Sequence, residues 1–577
     1  MGEPLRSLFN NYRRTLGDYQ SILSYAVLGV IGGLASGLVV IAFEFAISWV
    51  AMLWYVDNGA EGFEALPRWL VFALPVAGAT LLGLGYSFIK PEDRETGIVH
   101  VISHMHSHYS VLPLKNALVQ FIGGTLAIAT GQSGGREGPG VHLGGAVNSL
   151  LGQKLQLPNN SLRVLIACGT AGGIAAAFHT PLAGVIFAME VIIVEYSVVG
   201  FIPVILAAVS ASAISLTLNS GLTVFSHSAV QLNSLWELPY ILLLGVCCGI
   251  AVSAFIKVSS LAARLTKWPV AVRFGCAGVL TGGLALYVPE ILGMGYDTLR
   301  LVILGQLAPI ALITIATCKI LATSFSCGVG MPIGLIGPNL LIGACLGGIM
   351  GVLGHTYMPE LVSDPTLYIV MGMAASMGAV LNAPLAAILA VVELTHTVGI
   401  AMPALLAVVA ATLTNTGIFR QKSAHQTVLQ QLKRAVPDDP LNQLLHRTAV
   451  TSSLEVSVVK ISAELDHERA ELLTKATPGW CLVERDGQIL YLVRGNDLVQ
   501  WLEGRTIAEK LDLTEADIRR WTVAALPARA TLRQALDTMS SETVEALWVH
   551  SRGTSGIEVL QGIVTREAVE QFSLSKI

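Results

Sequence analysis

Glu137 stands in the stretch Gly135-Arg136-Glu137-Gly138-Pro139, with apolar sequence on both sides. An ionisable group at membrane depth is expensive, and its presence there points to function. Gly138-Pro139 reads as a helix start, because proline suits the first helical turn. Helix N-termini present free N–H groups and a positive dipole end, so they attract anions. A related stretch, Gly334-Leu335-Ile336-Gly337-Pro338, follows 199 positions later and predicts a second helix start, with Ile336 in place of the acid. Two such starts converging would hold an anion on peptide dipoles, without a full charge to trap it. Glu137 would then compete with the anion, and protonation would release the site. The alternative is a structural salt bridge between Glu137 and Arg136, although adjacent residues rarely face each other.

The elements that must position these groups repeat as well. Pro181-Leu182-Ala183-Gly184 with Glu190 matches Pro384-Leu385-Ala386-Ala387 with Glu393, 203 positions on. Two ordered pairs at nearly one offset indicate two structural repeats, about 20–230 and 235–430. Apolar runs such as Leu23–Phe43, Leu70–Ile89, Val164–Met189 and Leu301–Thr317 suit bilayer crossing, while others are short or broken by glycine and proline. Broken helices at membrane depth are tolerated where they line a cavity or pack inside protein, a pattern of transporters and channels.

Composition agrees. The 577 residues are 53% hydrophobic and 13% charged, with a mean hydropathy of +0.65. Of the 74 Lys, Arg, Asp and Glu residues, 36 fall in 1–430 and 38 in 431–577. The expected layout is therefore a membrane domain over 1–430 and a soluble domain over 431–577. Strand and helix patterns at 450–505 and 521–577 predict two similar α/β units. The net charge of −4 and the scattered Arg and Lys residues leave no nucleic-acid footprint. His100, His104, His106 and His108 form a cluster read as a polar loop or helix end; zinc would need more ligands in tetrahedral geometry, so no metal is expected.

The glutamate motif with Val141-His142, its second copy, the Pro181–Glu190 segment and the C-terminal pair together resemble the CLC chloride channel and transporter family with its CBS-domain pair. The resemblance covers essentially the whole chain. It implies an α-helical polytopic fold with two inverted repeats of broken, tilted helices, followed by an α/β CBS pair. It also implies a homodimer in the lipid bilayer, with an anion pathway and bound chloride in each subunit. Glu137 would be the gate, and backbone amides near Gly138, Leu335 and Ile336 would line the pathway. Thr96, in Glu95-Thr96-Gly97-Ile98-Val99, would supply the hydroxyl where the family usually has serine; the family's proline is replaced by Val99. His425 aligns with the family's pore tyrosine and would make the inner gate pH-sensitive.

Proton-coupled members commonly carry a second acid just after the position of Glu190. Here that residue is Val191, which cannot relay a proton, and Glu190 itself reads as a cap or pairing group. The resulting expectation is a passive chloride channel, gated by voltage or pH, with a proton-coupled antiporter as the alternative. An intramembrane enzyme using Glu137 is a remote reading, since Ser133 has no evident partner base. In the α/β pair, the ribose-contacting pattern of the family survives only in part, as Asp497 in one copy and Thr565 in the other. Adenine nucleotide is thus a possible ligand there, and no cofactor is required. A cytoplasmic N-terminus and α/β pair at a bacterial inner membrane complete the reading, from Arg6, Arg13 and Arg14 and the absence of a secretory signal.

Overall fold

The computed structural model describes residues 22–54, 62–107, 110–157, 159–194, 198–218, 232–432, 445, 448–503, 511–552 and 558–576. These fall into two compact units, one mainly of 18–156 and 162–436, the other mainly of 437–577.

Among the described residues, the regular elements of the first unit are helices. Its first copy holds α1 (Ile22–Ala51), α2 (Arg68–Ser87), α3 (Gly97–Ser107), α4 (Leu114–Ala129), α5 (Glu137–Lys154), α6 (Asn159–Phe178), α7 (Pro181–Phe187) and α8 (Val198–Leu218). The second copy holds α9 (Leu238–Ala262), α10 (Val270–Ala285), α11 (Tyr296–Ile303), α12 (Pro309–Gly328), α13 (Ile336–Tyr357), α14 (Pro365–Leu381), α15 (Pro384–Thr395) and α16 (Ala401–Leu413), and a short α17 (Ala424–Gln431) follows. The helices therefore correspond one to one. Among the described residues, eight are long and apolar enough to cross a membrane, and others are shorter.

Counterpart helices also touch. Helix α2 packs along α10 with Gly83 against Ala271 and Gly282 against Phe72, so the two run antiparallel. The copies are therefore inverted relative to each other, as expected. Close packing depends on small residues: a Cβ on Gly144 would lie 2.2 Å from the Gly169 carbonyl oxygen, and one on Gly343 would lie 2.1 Å from that of Gly372. With lipid as apolar as the side chains, such close backbone approach is what holds helices together.

In the second unit, β1 (Val458–Ser462) is followed by β2 (Glu464–Leu465), α18 (His467–Ala476), β3 (Trp480–Arg485), β4 (Gln488–Arg494), α19 (Gly495–Glu503) and β5 (Leu511–Asp512). Its second copy comprises β6 (Val523–Pro527), α20 (Leu532–Ser541), β7 (Ala546–Arg552), β8 (Glu558–Thr565) and α21 (Arg566–Lys576). The sheets β1-β3-β4 and β6-β7-β8 share one order, with the first pair parallel and the second antiparallel. A cluster that includes Trp480, Leu482, Leu492, Ala546 and Ile563 joins them. The sequence reading missed α18. Asp466 caps it and its buried face is only Ala470 and Leu473, so charge masks the helical period.

Candidate functional site

Glu137 is the first residue of α5, and Pro139 sits in that first turn as the motif predicts. Its side chain is fully buried. The Tyr296 hydroxyl donates to its Oε1, and the backbone N–H of Gly337 donates to Oε2 at 3.2 Å. The carboxylate of one copy thus lies at the N-terminus of α13 in the other, where free N–H groups and the helix dipole favour a negative charge.

Two reciprocal hydrogen bonds hold this arrangement. Gly135 N–H donates to the Gly334 oxygen, and Gly334 N–H donates to the Gly135 oxygen, each at 2.7 Å. A Cβ on Gly138 would lie 2.8 Å from the Gly334 Cα, so the two helix starts meet only because both sites are glycine. Leu335 and Ile336, expected to line the pathway, are buried at the start of α13. The salt-bridge alternative for Glu137 finds a different partner for its arginine: Arg136 Nη1 lies 3.3 Å from Glu44 Oε1, and its guanidinium lies 5.6 Å from the Tyr296 ring centre.

Thr96 immediately precedes α3 and is half-buried. Gly97 follows with φ +76, a conformation that favours glycine, and its N–H donates to Gln120 Oε1 at 2.8 Å. Gln120 Nε2 donates to the Pro332 oxygen at 2.9 Å, tying this segment to the second copy. His425 is buried in the first turn of α17, which packs against α3, and its Nδ1 has no hydrogen-bond partner among the described residues.

Glu190 proves to be a cap. Its carboxylate accepts the N–H groups of Leu385 at 3.2 Å and Ala386 at 2.8 Å, at the start of α15. Glu393 returns the contact at α7, accepting from Leu182 at 2.9 Å and Ala183 at 2.8 Å. Val191 lies buried in the π-helical turn Ala188–Ile193 that extends α7.

Tyr296, Gln120, Glu44 and Lys319 escaped the sequence reading. Tyr296 was findable, since the 199-residue offset carries Thr96-Gly97 onto Gly295-Tyr296. Gly295 also has a positive φ, of +86. Gln120 interrupts an apolar run, and Lys319 follows one by two residues. Lys319 is fully buried, and its Nζ donates to the oxygens of Ile291 at 2.9 Å and Gly293 at 3.0 Å, just before α11.

Residues 77–416, more than half the chain, match the family described as voltage gated chloride channel. The chain belongs to this CLC family. A ClcB-like chloride channel protein, so named, of Ralstonia nicotianae is 31% identical over 404 residues, covering 67% of this chain and 92% of that protein. The H(+)/Cl(−) exchange transporter ClcA of Vibrio cholerae is 30% identical over 445 residues, covering 75% and 91%. In fold the chain is similar to a structure titled as a slow cyanobacterial Cl−/H+ antiporter, with TM-score 0.62, 23% identity and coverage of 71% of this chain and 97% of that one.

CLC members are transporters or channels, so the enzyme reading ends here. Ser133 Oγ meets the Thr323 hydroxyl at 2.8 Å, an alcohol rather than a base. The passive-channel expectation is also overturned, because relatives spanning both copies are named as proton/chloride exchangers. The error lay in letting Val191 tip the choice away from the antiporter. An apolar side chain excludes a proton carrier at one position only, while water and other ionisable groups can relay protons elsewhere.

Proposed function

We propose that this CLC protein exchanges chloride for protons, with Glu137 as the gate used by both ions. The observation that carries the reading is the buried Glu137 carboxylate at the N-terminus of α13, accepting from Gly337 and Tyr296. An anion needs the same donors, so carboxylate and chloride compete for them. Protonation removes the charge and the competition, which links the two ions. Gly138, Leu335 and Ile336 supply backbone to the pathway. Thr96 offers a hydroxyl at the start of α3, and His425 offers a buried ring nitrogen on the helix packed against α3.

The test is flux from purified protein in liposomes under an imposed pH gradient. Protons should drive chloride uphill in the wild type, and Glu137→Gln should abolish that coupling. A wild-type protein that only dissipates the chloride gradient would overturn the proposal.

We further propose that 1–430 is the transport domain and 431–577 a CBS-type pair facing the cytoplasm of a bacterial inner membrane, in a homodimer. The repeated strand order supports the CBS-type reading. A cavity of about 260 Å³ between its copies is lined by Trp480, Trp521, Arg494 and Thr565, with Glu455 and Glu567. The indoles suit the base of an adenine nucleotide, whereas the two carboxylates oppose its phosphates. Thr565 lines this cavity and Asp497 is not among its lining residues.

A further inference from the structure

Helix α3 and Glu95, two residues before it, carry a second constellation that anion transport does not require. Glu95, His100 and His104 each bring one ligating atom to a common point, all within 4.8 Å of one another. Both histidines are buried, and Glu95 is half-buried. The i,i+4 spacing puts the two rings on one face, with centroids 4.0 Å apart. His106 belongs to another face, with Nδ1 2.9 Å from the Ile102 oxygen, and His108 lies outside the described residues.

The contacts behind the rings suit metal ligation. His104 Nδ1 lies 3.2 Å from the His100 carbonyl oxygen, which can only accept, so His104 donates its Nδ1–H there, as a histidine that ligates through Nε2 would. His100 Nδ1 lies 2.8 Å from Nε2 of the fully buried His142 on α5. In the tautomer in which His100 donates to His142, Nε2 is the nitrogen that would ligate, as for His104. Histidine ligands of metals typically donate their other ring N–H to such a partner, which fixes tautomer and orientation.

We propose that Glu95, His100 and His104 bind a divalent transition metal of the zinc class, with His142 orienting His100. Two imidazoles and one carboxylate are a known zinc donor set that leaves a fourth position for water or an anion. Ligand atoms around tetrahedral zinc are about 3.4 Å apart, so the observed spread closes with small side-chain rotations. Sequence spacing alone argued against a metal because it counted histidines; Glu95, five residues before His100, supplies the third donor. Glu95 also adjoins Thr96, so a bound metal would hold the segment that enters the proposed anion pathway.

The test titrates Co2+ into tag-free, full-length protein in detergent. One Co2+ per chain should give the visible absorption of a four- or five-coordinate site, and Zn2+ should bleach it. Glu95→Gln and His104→Ala should each weaken binding at least tenfold, and His142→Gln by about 10–100-fold. Thermal melts without metal control for folding, and Glu95→Gln, outside the helix, carries the test if His104→Ala does not fold. Absent absorption, or absorption unchanged in Glu95→Gln, overturns the proposal. Because the readout is metal binding, it stands or falls independently of proton coupling.

Discussion

Position 137 holds a glutamate in the first copy of the membrane unit, while position 336 holds an isoleucine in the second. Around this difference the copies are nearly interchangeable. Gly135 and Gly334 exchange hydrogen bonds of equal length, and Glu190 and Glu393 each cap the other copy's short helix. Residues that hold the fold are thus paired across the repeat. Residues that could do chemistry are single: Glu137 against Ile336, and Thr96-Gly97 against Gly295-Tyr296. In a duplicated protein, loss of symmetry is itself a pointer to function.

The sharpest way to break this comparison is to substitute both members of the divergent pair. Glu137→Gln should reduce proton-driven chloride uptake at least tenfold in liposomes. Ile336→Gln should leave coupling in place, because no carboxylate is lost. Equal loss in both variants would mean that helix-start packing, not the acid, sets the coupling. The paired residues should behave oppositely. Glu190→Ala and Glu393→Ala each strip a carboxylate from two N–H donors, an expected loss of about 1–3 kcal/mol seen as lower melting temperatures in detergent. The two losses should agree within about 1 kcal/mol, and a large disparity would show that one cap has a further role.

Tyr296→Phe is a subtler probe. Removing the hydroxyl costs the Glu137 carboxylate one of its two described donors, worth about 1.5–3 kcal/mol for a hydrogen bond to a charged group. On the proposed reading chloride draws on the same hydroxyl, so with the competing acid removed chloride should bind about tenfold more weakly by calorimetry in the double variant Glu137→Gln/Tyr296→Phe than in Glu137→Gln alone. Equal affinity in the two would mean that carboxylate and chloride do not share this donor.

Much of the site was legible because its signals are local. A glutamate among glycines, a proline in the first turn of a helix and two motifs at one offset need no tertiary knowledge. Glu190 as a cap was legible for the same reason, although its partner in the other copy was not. Tyr296, Gln120 and Lys319 act through contacts made only when distant segments meet: Gln120 reaches Pro332, 212 positions away. The channel expectation failed differently, since one missing side chain tipped the choice between two readings of the whole pathway. In the α/β unit, apolar alternation disclosed the main strands, while the charged α18 and the two-residue strands β2 and β5 carry too few apolar residues to signal.

The β2–β5 ribbon has no counterpart in the second α/β copy among the described residues, and it offers the smallest test of the symmetry argument. Asp512, on β5, accepts from the Thr514 hydroxyl at 2.6 Å and the Thr514 N–H at 2.8 Å, and Arg485 Nη2 lies 2.5 Å away. The Thr514 bonds first, and then Arg485, hold its carboxyl down at about 2. A depressed folded-state value means that ionised Asp512 favours the folded form above the unfolded carboxyl's value of about 3.9. That contribution is lost as pH falls from about 4 towards 2. Asp512→Asn should therefore lower stability at pH 7, where the ionised group contributes, and flatten the acid limb of the stability profile in that window, so that the two proteins converge towards pH 2. Because the group is only partly buried, salt should shrink the difference. If the acid limb is unchanged in the variant, the ribbon adds shape to the first copy but no measurable pH-dependent stability.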